Sequence, residues 1–208
     1  DEDHTDPSRA AMPLSWVPEA ELPQVGCWLT GFSDVTSSTN ERTVLAGILP
    51  TSAVGHTYPL YLATQGELLT ASFNSAPLDY IARQKVAGLH LTYGYVKQFP
   101  VLPPEEFSLA RSSWSWAPMA DWLHPRILEL TYTAYDIAPF AEDLRDVDAH
   151  GKVNPPFVWD DERRSWLRAE LDAAFFHLYG IERDEVDHIM DTFPIVRRKD
   201  EAAHGEYR

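Results

Sequence analysis

The clearest hydrophobic pattern in the chain predicts a long helix over residues 160–179. Three acidic residues occupy its first turn, at 160–162, where the helix dipole favours negative charge, and Gly180 follows as a C-terminal stop signal. The apolar residues recur at helical spacing and form one face, which we expect to be buried. These residues are Trp166, Leu167, Leu171, Ala174, Phe175 and Leu178.

Four shorter segments carry helical spacing or helix-boundary signals. Residues 67–74 have a helical period, and Pro77 stands where the first turn of a second helix would begin. In the second half, a helix is predicted from Pro125 to residue 136. A shorter one is predicted after a cap at Asp184, ending at Pro194.

Three segments have the pattern of strands. Residues 42–49 and 56–62 are apolar, β-branched or aromatic and are separated by a turn-like loop, which predicts a hairpin. Pro59 would place the second of these strands at an edge or a bulge. In residues 89–96, Leu and Tyr alternate with other residues, which predicts a third strand.

The order of these elements predicts an α+β fold. We expect a mixed α/β domain at residues 25–104, followed by a helical C-terminal region at 105–208. Residues 1–24 are expected to be a flexible or linker segment.

Composition narrows the class of protein. With 44% apolar residues the chain can bury a core, and its single cysteine, Cys27, excludes an internal disulfide. We expect Cys27 to be buried and the protein to be cytoplasmic.

No apolar run approaches the roughly 20 residues that span a bilayer, so no membrane contact is expected. No secretory signal begins the chain. Because the sequence lacks an initiator methionine and stops at a polar Tyr207-Arg208 without a helix stop signal, we expect a piece of a longer protein.

Charge is distributed unevenly along the chain. The net charge is −15, but residues 7–103 hold five basic and six acidic residues, whereas residues 104–208 hold twelve and twenty-two. Arg83, Lys85 and Lys97 form a basic segment with no acid between Arg83 and Lys97. A cationic segment retained in an acidic protein indicates a contact surface for something anionic.

Several phrases of the chain resemble one protein family. Residues 39–44 read TNERTV, residues 79–104 read DYIARQKVAGLHLTYGYVKQFPVLPP, and residues 192–201 read TFPIVRRKDE. With further matches such as HPRILELTYTAYDIAPFAEDL, they are similar to the target-recognition and C-terminal region of large, type IIG-like restriction–modification DNA methyltransferases. That family methylates the amino group of adenine, and the resemblance covers residues 28–208.

The resemblance implies a role in reading DNA. The chain would bind duplex DNA and present the target adenine to a catalytic domain of the parent protein, which uses S-adenosylmethionine. This fragment itself would hold no catalytic residue, no metal and no cofactor. We expect DNA contacts from Arg42, Arg83, Lys85, His90 and Lys97, with Arg42 and Arg83 reading bases because a guanidinium can form two hydrogen bonds with guanine. The same cations could instead be solvated charges or complements of a helix C-terminus, and His90 could be structural.

One tetrapeptide matches the form of a catalytic motif. Residues 154–157 read NPPF, the form that amino-methyltransferases use to hold a flipped base. Here it follows a charged, glycine-broken stretch, and no glycine-rich cofactor turn precedes it, so we interpret it as a structural loop. A weaker possibility is that it belongs to a permuted catalytic site.

A different class of function remains open. The acidic helical half could make the chain a protein–protein interaction module with no direct DNA contact. Exposure of the cations on one face would favour DNA reading, whereas their burial in ion pairs would favour the interaction module.

Overall fold

A computed structural model describes residues 5–10, 16–21, 26–109 and 117–207. Only parts of the segment 1–24, expected to be flexible or a linker, fall within these ranges. One 3-10 turn there spans Glu19–Glu21.

Three short strands form an antiparallel sheet. They are β1 (Trp28–Phe32), β2 (Ala46–Pro50) and β3 (Leu60–Tyr61), in the order β2-β1-β3. The predicted hairpin of residues 42–49 with 56–62 is therefore wrong, because β1 lies between the two strands and pairs with both. The short strand β3 that follows Pro59 does lie at an edge of this sheet.

Two glycines let an aromatic ring lie on the sheet. Gly31 of β1 stands opposite Gly47 of β2. A Cβ at Gly31 would lie 2.5 Å from Cε1 of Tyr58, and one at Gly47 would lie 2.7 Å from its hydroxyl. A Cβ at Gly31 would also lie 2.9 Å from the Pro59 carbonyl oxygen, so this position needs glycine, whereas at Gly47 a side chain would require the Tyr58 hydroxyl to move.

Helices account for most of the remaining structure. Their bounds are α1 Gly66–Phe73, α2 Ala76–Lys85, α3 Tyr93–Val96, α4 Pro104–Leu109, α5 Met119–Thr131, α6 Ala138–Asp143, α7 Asp161–Leu178, α8 Arg183–Met190 and α9 Pro194–His204. A 3-10 turn, Tyr135–Ile137, precedes α6. Together with the sheet they make a mixed α+β fold.

The strand predicted at residues 89–96 is wrong. Apart from one isolated bridge between Val35 and His90, this segment makes no ladder, and Tyr93–Val96 form the single turn α3. Of the alternating Leu and Tyr residues only Leu91 is buried, so the alternation does not mark a face of a sheet.

Three helix boundaries also differ from those predicted. Pro125 lies inside α5, which begins at Met119. Helix α8 is capped by Glu182, whose side chain forms a capping box with Glu185, and Asp184 lies in its first turn. Pro194 opens α9 rather than only ending α8, because its missing N–H costs nothing at the first turn of a helix.

The helix predicted at 160–179 is confirmed as α7, with the Asp160 side chain accepting from the Arg163 N–H at 2.8 Å. Leu167, Leu171 and Phe175 are buried along one face. Trp166 is 58% exposed, so its assignment to the buried face was wrong. It lies one position, and about 100°, away from the line that Leu167 and Leu171 follow.

One hydrophobic core spans the boundary expected at residue 104. Leu68 and Ala71 of α1 belong to the same buried cluster as Leu123 of α5 and Phe175 of α7. The acidic second half thus packs directly against the first half.

Two further observations concern the sequence expectations. Cys27 is exposed, contrary to the expectation of burial. No helix within the described ranges has both the length and the apolar character needed to cross a membrane.

Candidate nucleic-acid interface

Arg83, predicted to contact DNA, is bonded within the protein. In the last turn of α2 its Nε donates to Asp79 Oδ2 at 3.0 Å, one helical turn back. Its two terminal nitrogens donate to the carbonyl oxygens of Ser38, Asn40 and Glu41 at 3.2, 2.7 and 2.6 Å. Only 7% of the side chain is exposed, so this guanidinium supports the loop before β2.

Arg42 is likewise engaged inside the molecule. Its Nη2 donates to Asp172 Oδ2 on α7 at 2.7 Å, and its side chain is 21% exposed. The other Asp172 oxygen accepts from the Ala76 N–H at 2.6 Å, at the first residue of α2. Burial raises the pKa of the Asp172 carboxyl, against the opposite effect of Arg42 and of the Ala76 hydrogen bond.

A second carboxylate and an aromatic ring complete the arrangement. Asp79 is fully buried, and its Oδ1 accepts from the N–H groups of Thr43 and Val44, both at 2.7 Å. The Phe193 ring lies 4.3 Å from the guanidinium carbon of Arg83 and 5.2 Å from that of Arg42. We call the five residues Arg42, Asp79, Arg83, Asp172 and Phe193 the arginine network.

The arginine network joins segments that are far apart in sequence. It brings the TNERTV phrase, the start of the basic segment and the TFPIVRRKDE phrase to one place. Lys199, in the last of these, forms an ion pair with Glu41 in the first. Two cations and two carboxylates balance in charge, which is the condition under which partly buried ionic groups are stable.

The remaining predicted DNA contacts lie on the surface. Lys85 at the end of α2 and Lys97 at the end of α3 are exposed. Within the described ranges neither lysine has an ion-pair partner. The His90 side chain is 61% exposed, and its Nδ1 lies 3.0 Å from Asp34 Oδ2. We call residues 85–97 the basic loop.

Apolar and aromatic side chains accompany the cations of the basic loop. Leu89 is 66% exposed, and the exposed Tyr93 donates from its hydroxyl to the Leu60 carbonyl of β3 at 2.6 Å. Val35, which forms the bridge to His90, is also exposed. Cations interleaved with exposed apolar and aromatic groups provide both contact types that nucleic acids use, namely phosphate charge and base or sugar surface.

The predicted site residues thus divide into two groups: Arg42 and Arg83 in the arginine network, and Lys85, His90 and Lys97 on the basic loop. Sequence reasoning missed Asp79 and Asp172. Asp79 carries a readable signal, since it stands four residues before Arg83 on a helix, the spacing of a helical ion pair. The partner of Arg42 is 130 positions away and has no local signal.

The tetrapeptide at residues 154–157 is bonded into its surroundings. The Asn154 Nδ2 donates to Asp146 Oδ1 at 2.7 Å, and the Asn154 carbonyl accepts from the Tyr132 hydroxyl at 2.9 Å. The Phe157 N–H donates to the Tyr132 carbonyl at 2.8 Å, and the Phe157 ring packs on the main core. The Asn154 side-chain amide and backbone carbonyl thus both take part in internal contacts, which fits a structural loop.

Two further findings concern metal binding and similarity to known proteins. Across the part of the chain that the structure describes, no group of three or more His, Cys, Asp or Glu side chains is placed to hold a metal ion. Comparison with protein-family models, curated proteins and solved structures gives no match.

Proposed function

We propose that this chain is the sequence-reading part of an adenine-specific DNA methyltransferase of a restriction–modification or phage-defence system, and that it contacts duplex DNA through the basic loop. The observation that carries the proposal is that Lys85, His90 and Lys97 are exposed on one acid-free segment of a chain whose net charge is −15. The family resemblance supplies the reaction class. We further propose that the protein works in the cytoplasm, which is consistent with its single cysteine.

The two groups of cations have different roles in DNA binding. Lys85, Lys97 and His90 contact DNA, because their charged or polar ends are open to solvent. Arg42 and Arg83 shape the loop that precedes β2, since a guanidinium with 7% or 21% exposure and internal acceptors does not reach into a groove. The interaction is therefore mainly with phosphates, which position the protein on the duplex.

The methyl transfer itself is assigned to the rest of the parent protein. S-adenosylmethionine would bind there, and the flipped adenine would enter a pocket there. The NPPF tetrapeptide takes a structural role in the proposal, which the internal bonds of Asn154 support.

One observation favours a second candidate, an acidic interaction module without DNA contact. Arg42 and Arg83 are held in internal ion pairs, and the negative charge opposes approach to a polyanion. In this alternative the acidic helical half would dock onto another protein or mimic the charge of DNA, and the basic segment would be structural.

A competition experiment separates the two candidates. The experiment measures binding at two salt concentrations to a duplex with the sequence that the parent protein recognises and to a random duplex. It compares wild type with Lys85→Gln and Lys97→Gln, and the exposed Lys152→Gln is the matched control. Each loop variant is expected to weaken both duplexes about equally and to lower the salt slope by about 0.9 per lost phosphate contact. If both loop variants bind like the control, the DNA assignment fails and the interaction module is the better account.

A further inference from the structure

An open pocket of about 710 Å³ lies between β2, α1, α5 and α7, outside the basic loop. It is bordered by the edge strand β2 at Ala46, Gly47 and Ile48, and by Leu45 just before that strand. The basic loop is instead attached to the opposite edge of the sheet, where Tyr93 bonds the backbone of β3. The pocket is therefore a separate place on the molecule.

Two arginines of α7 give the pocket a surplus of positive charge. Arg168 is exposed and has no ion-pair partner within the described ranges. Arg164, one turn earlier, donates to the Leu130 carbonyl at 3.0 Å, and its guanidinium carbon lies 3.6 Å from the centre of the Trp159 ring. Burial lowers the pKa of Arg164, and the charge of Arg168 lowers it further, although Asp161 and Glu129 act in the opposite sense.

The carboxylates that line the pocket are already neutralised. Asp172 accepts from Arg42 and from the Ala76 N–H, and Glu41 pairs with Lys199. A third cation, Arg42, also lines the pocket, but it is paired with Asp172 and its Nη1 is buried. With both carboxylates paired, the unpaired charge that lines the pocket among the described residues is the positive charge of Arg164 and Arg168.

The rest of the wall is mixed, with polar residues such as Thr70, Asn74 and Thr131 and a group of apolar side chains. Ile48, Ile127, Leu130 and Leu171 contribute hydrocarbon surface beside the arginines. The volume exceeds what an inorganic anion needs and lies within the range of small-molecule sites. The arrangement suits a ligand that has an anionic group at one end and a flat apolar body at the other.

We propose that this pocket binds a phosphate ester with an aromatic body, of the nucleoside monophosphate class. The phosphate is held by Arg164 and Arg168, and the base packs against Ile48, Leu130 and Leu171. Arginine suits this task because its planar fork can meet phosphate oxygens with two hydrogen bonds. The inference does not rest on the DNA contact of the basic loop.

Calorimetric titration of the full chain with adenosine monophosphate, inorganic phosphate and adenosine tests the proposal. Adenosine monophosphate is expected to bind more tightly than either of the other two, because only it uses both halves of the pocket. Arg168→Gln should weaken its binding by about tenfold or more, the effect of losing one hydrogen bond to a charged group. Arg183→Gln, an exposed arginine on α8 at a different helix, is the matched control and should bind like wild type.

Amide chemical shifts locate the ligand independently. Resonances of residues 46–48 should move on addition of adenosine monophosphate, and those of residues 88–97 should not. Absence of binding, equal binding by Arg168→Gln and wild type, or shifts confined to residues 88–97 would each overturn the proposal.

A final arm identifies the source of the phosphate. If a short duplex displaces adenosine monophosphate from Lys85→Gln protein, the phosphate in the pocket belongs to nucleic acid. If the duplex leaves it bound, the ligand is a free nucleotide. Because this arm uses the pocket and not the basic loop, its result does not depend on whether the DNA assignment holds.

Discussion

Arginine and lysine take different places in the segment that contains both. Arg83 has five N–H donors in a fixed fork, and it uses four of them to bond one carboxylate and three carbonyl oxygens. Lys85, two residues later, projects from the end of α2 into solvent. A single basic segment therefore contains one structural cation and one surface cation. They differ in whether the protein supplies hydrogen-bond acceptors for the charged group.

The Arg42–Asp172 pair provides a residue-scale prediction. Asp172→Asn keeps the size of the side chain but leaves the mostly buried guanidinium of Arg42 without its bonded carboxylate, and the arginine network with one positive charge in excess. We expect a loss of roughly 2–4 kcal/mol in the free energy of unfolding, somewhat below that of a fully buried pair. Urea denaturation followed by circular dichroism measures it.

A matched exposed pair serves as the control for this prediction. Asp187 pairs with Arg183 on the surface of α8, and Asp187→Asn should cost less than about 1 kcal/mol. Equal losses for the two variants would mean that the arginine network does not stabilise the fold.

The residue scale also shows what local sequence can and cannot reveal. The Asp79–Arg83 pair follows from four-residue spacing on a predicted helix, so it is readable in advance. The Arg42–Asp172 pair and the Phe193 ring come from distant segments, and only the packing of α2 against α7 and α8 brings them together. For this reason the sequence points to the right cations but does not separate the buried ones from the exposed ones.

At the scale of elements, helices were predicted better than strands. Helices α1, α2 and α7 arise from periodic apolar faces and local boundary residues, both visible in the sequence. The strands β2 and β3 both pair with β1 and not with each other. The sequence does not show this, because two apolar runs joined by a short loop have the same pattern whether they pair directly or lie on either side of a third strand. The alternation of residues 89–96 predicted a strand. Helix α3 is a single turn, too short to show a helical period of apolar residues that would have argued against it.

Helix α7 allows a prediction with its control on the same element. Phe175 is fully buried in the main core, whereas Trp166 is more than half exposed. Phe175→Ala should lower the free energy of unfolding by roughly 3–5 kcal/mol because it leaves a cavity. Trp166→Ala should change it by less than about 1 kcal/mol. The same urea titration measures both, and a larger loss for Trp166→Ala would show that the buried face of α7 has been assigned incorrectly.

At the scale of the whole molecule, a shared buried cluster joins two halves of very different charge. Residues from α1 pack with residues from α5 and α7, so the acidic second half packs directly on the half that carries the basic loop. The net charge of −15 repels DNA at long range, and the few cations of the basic loop act only at short range. DNA binding is therefore expected to be weak for the chain alone and to depend strongly on salt.

The most direct test of the central claim is a cross-linking measurement. A photoreactive benzophenone side chain is placed at Leu89 on the basic loop, which is 66% exposed, and in a second protein at Val158, which is 89% exposed and lies in the acidic half. After irradiation with labelled duplex, we expect a cross-link from position 89 that excess unlabelled duplex and added salt suppress, and none from position 158. Equal cross-linking from both positions, or none from position 89, would contradict the claim that the basic loop contacts DNA.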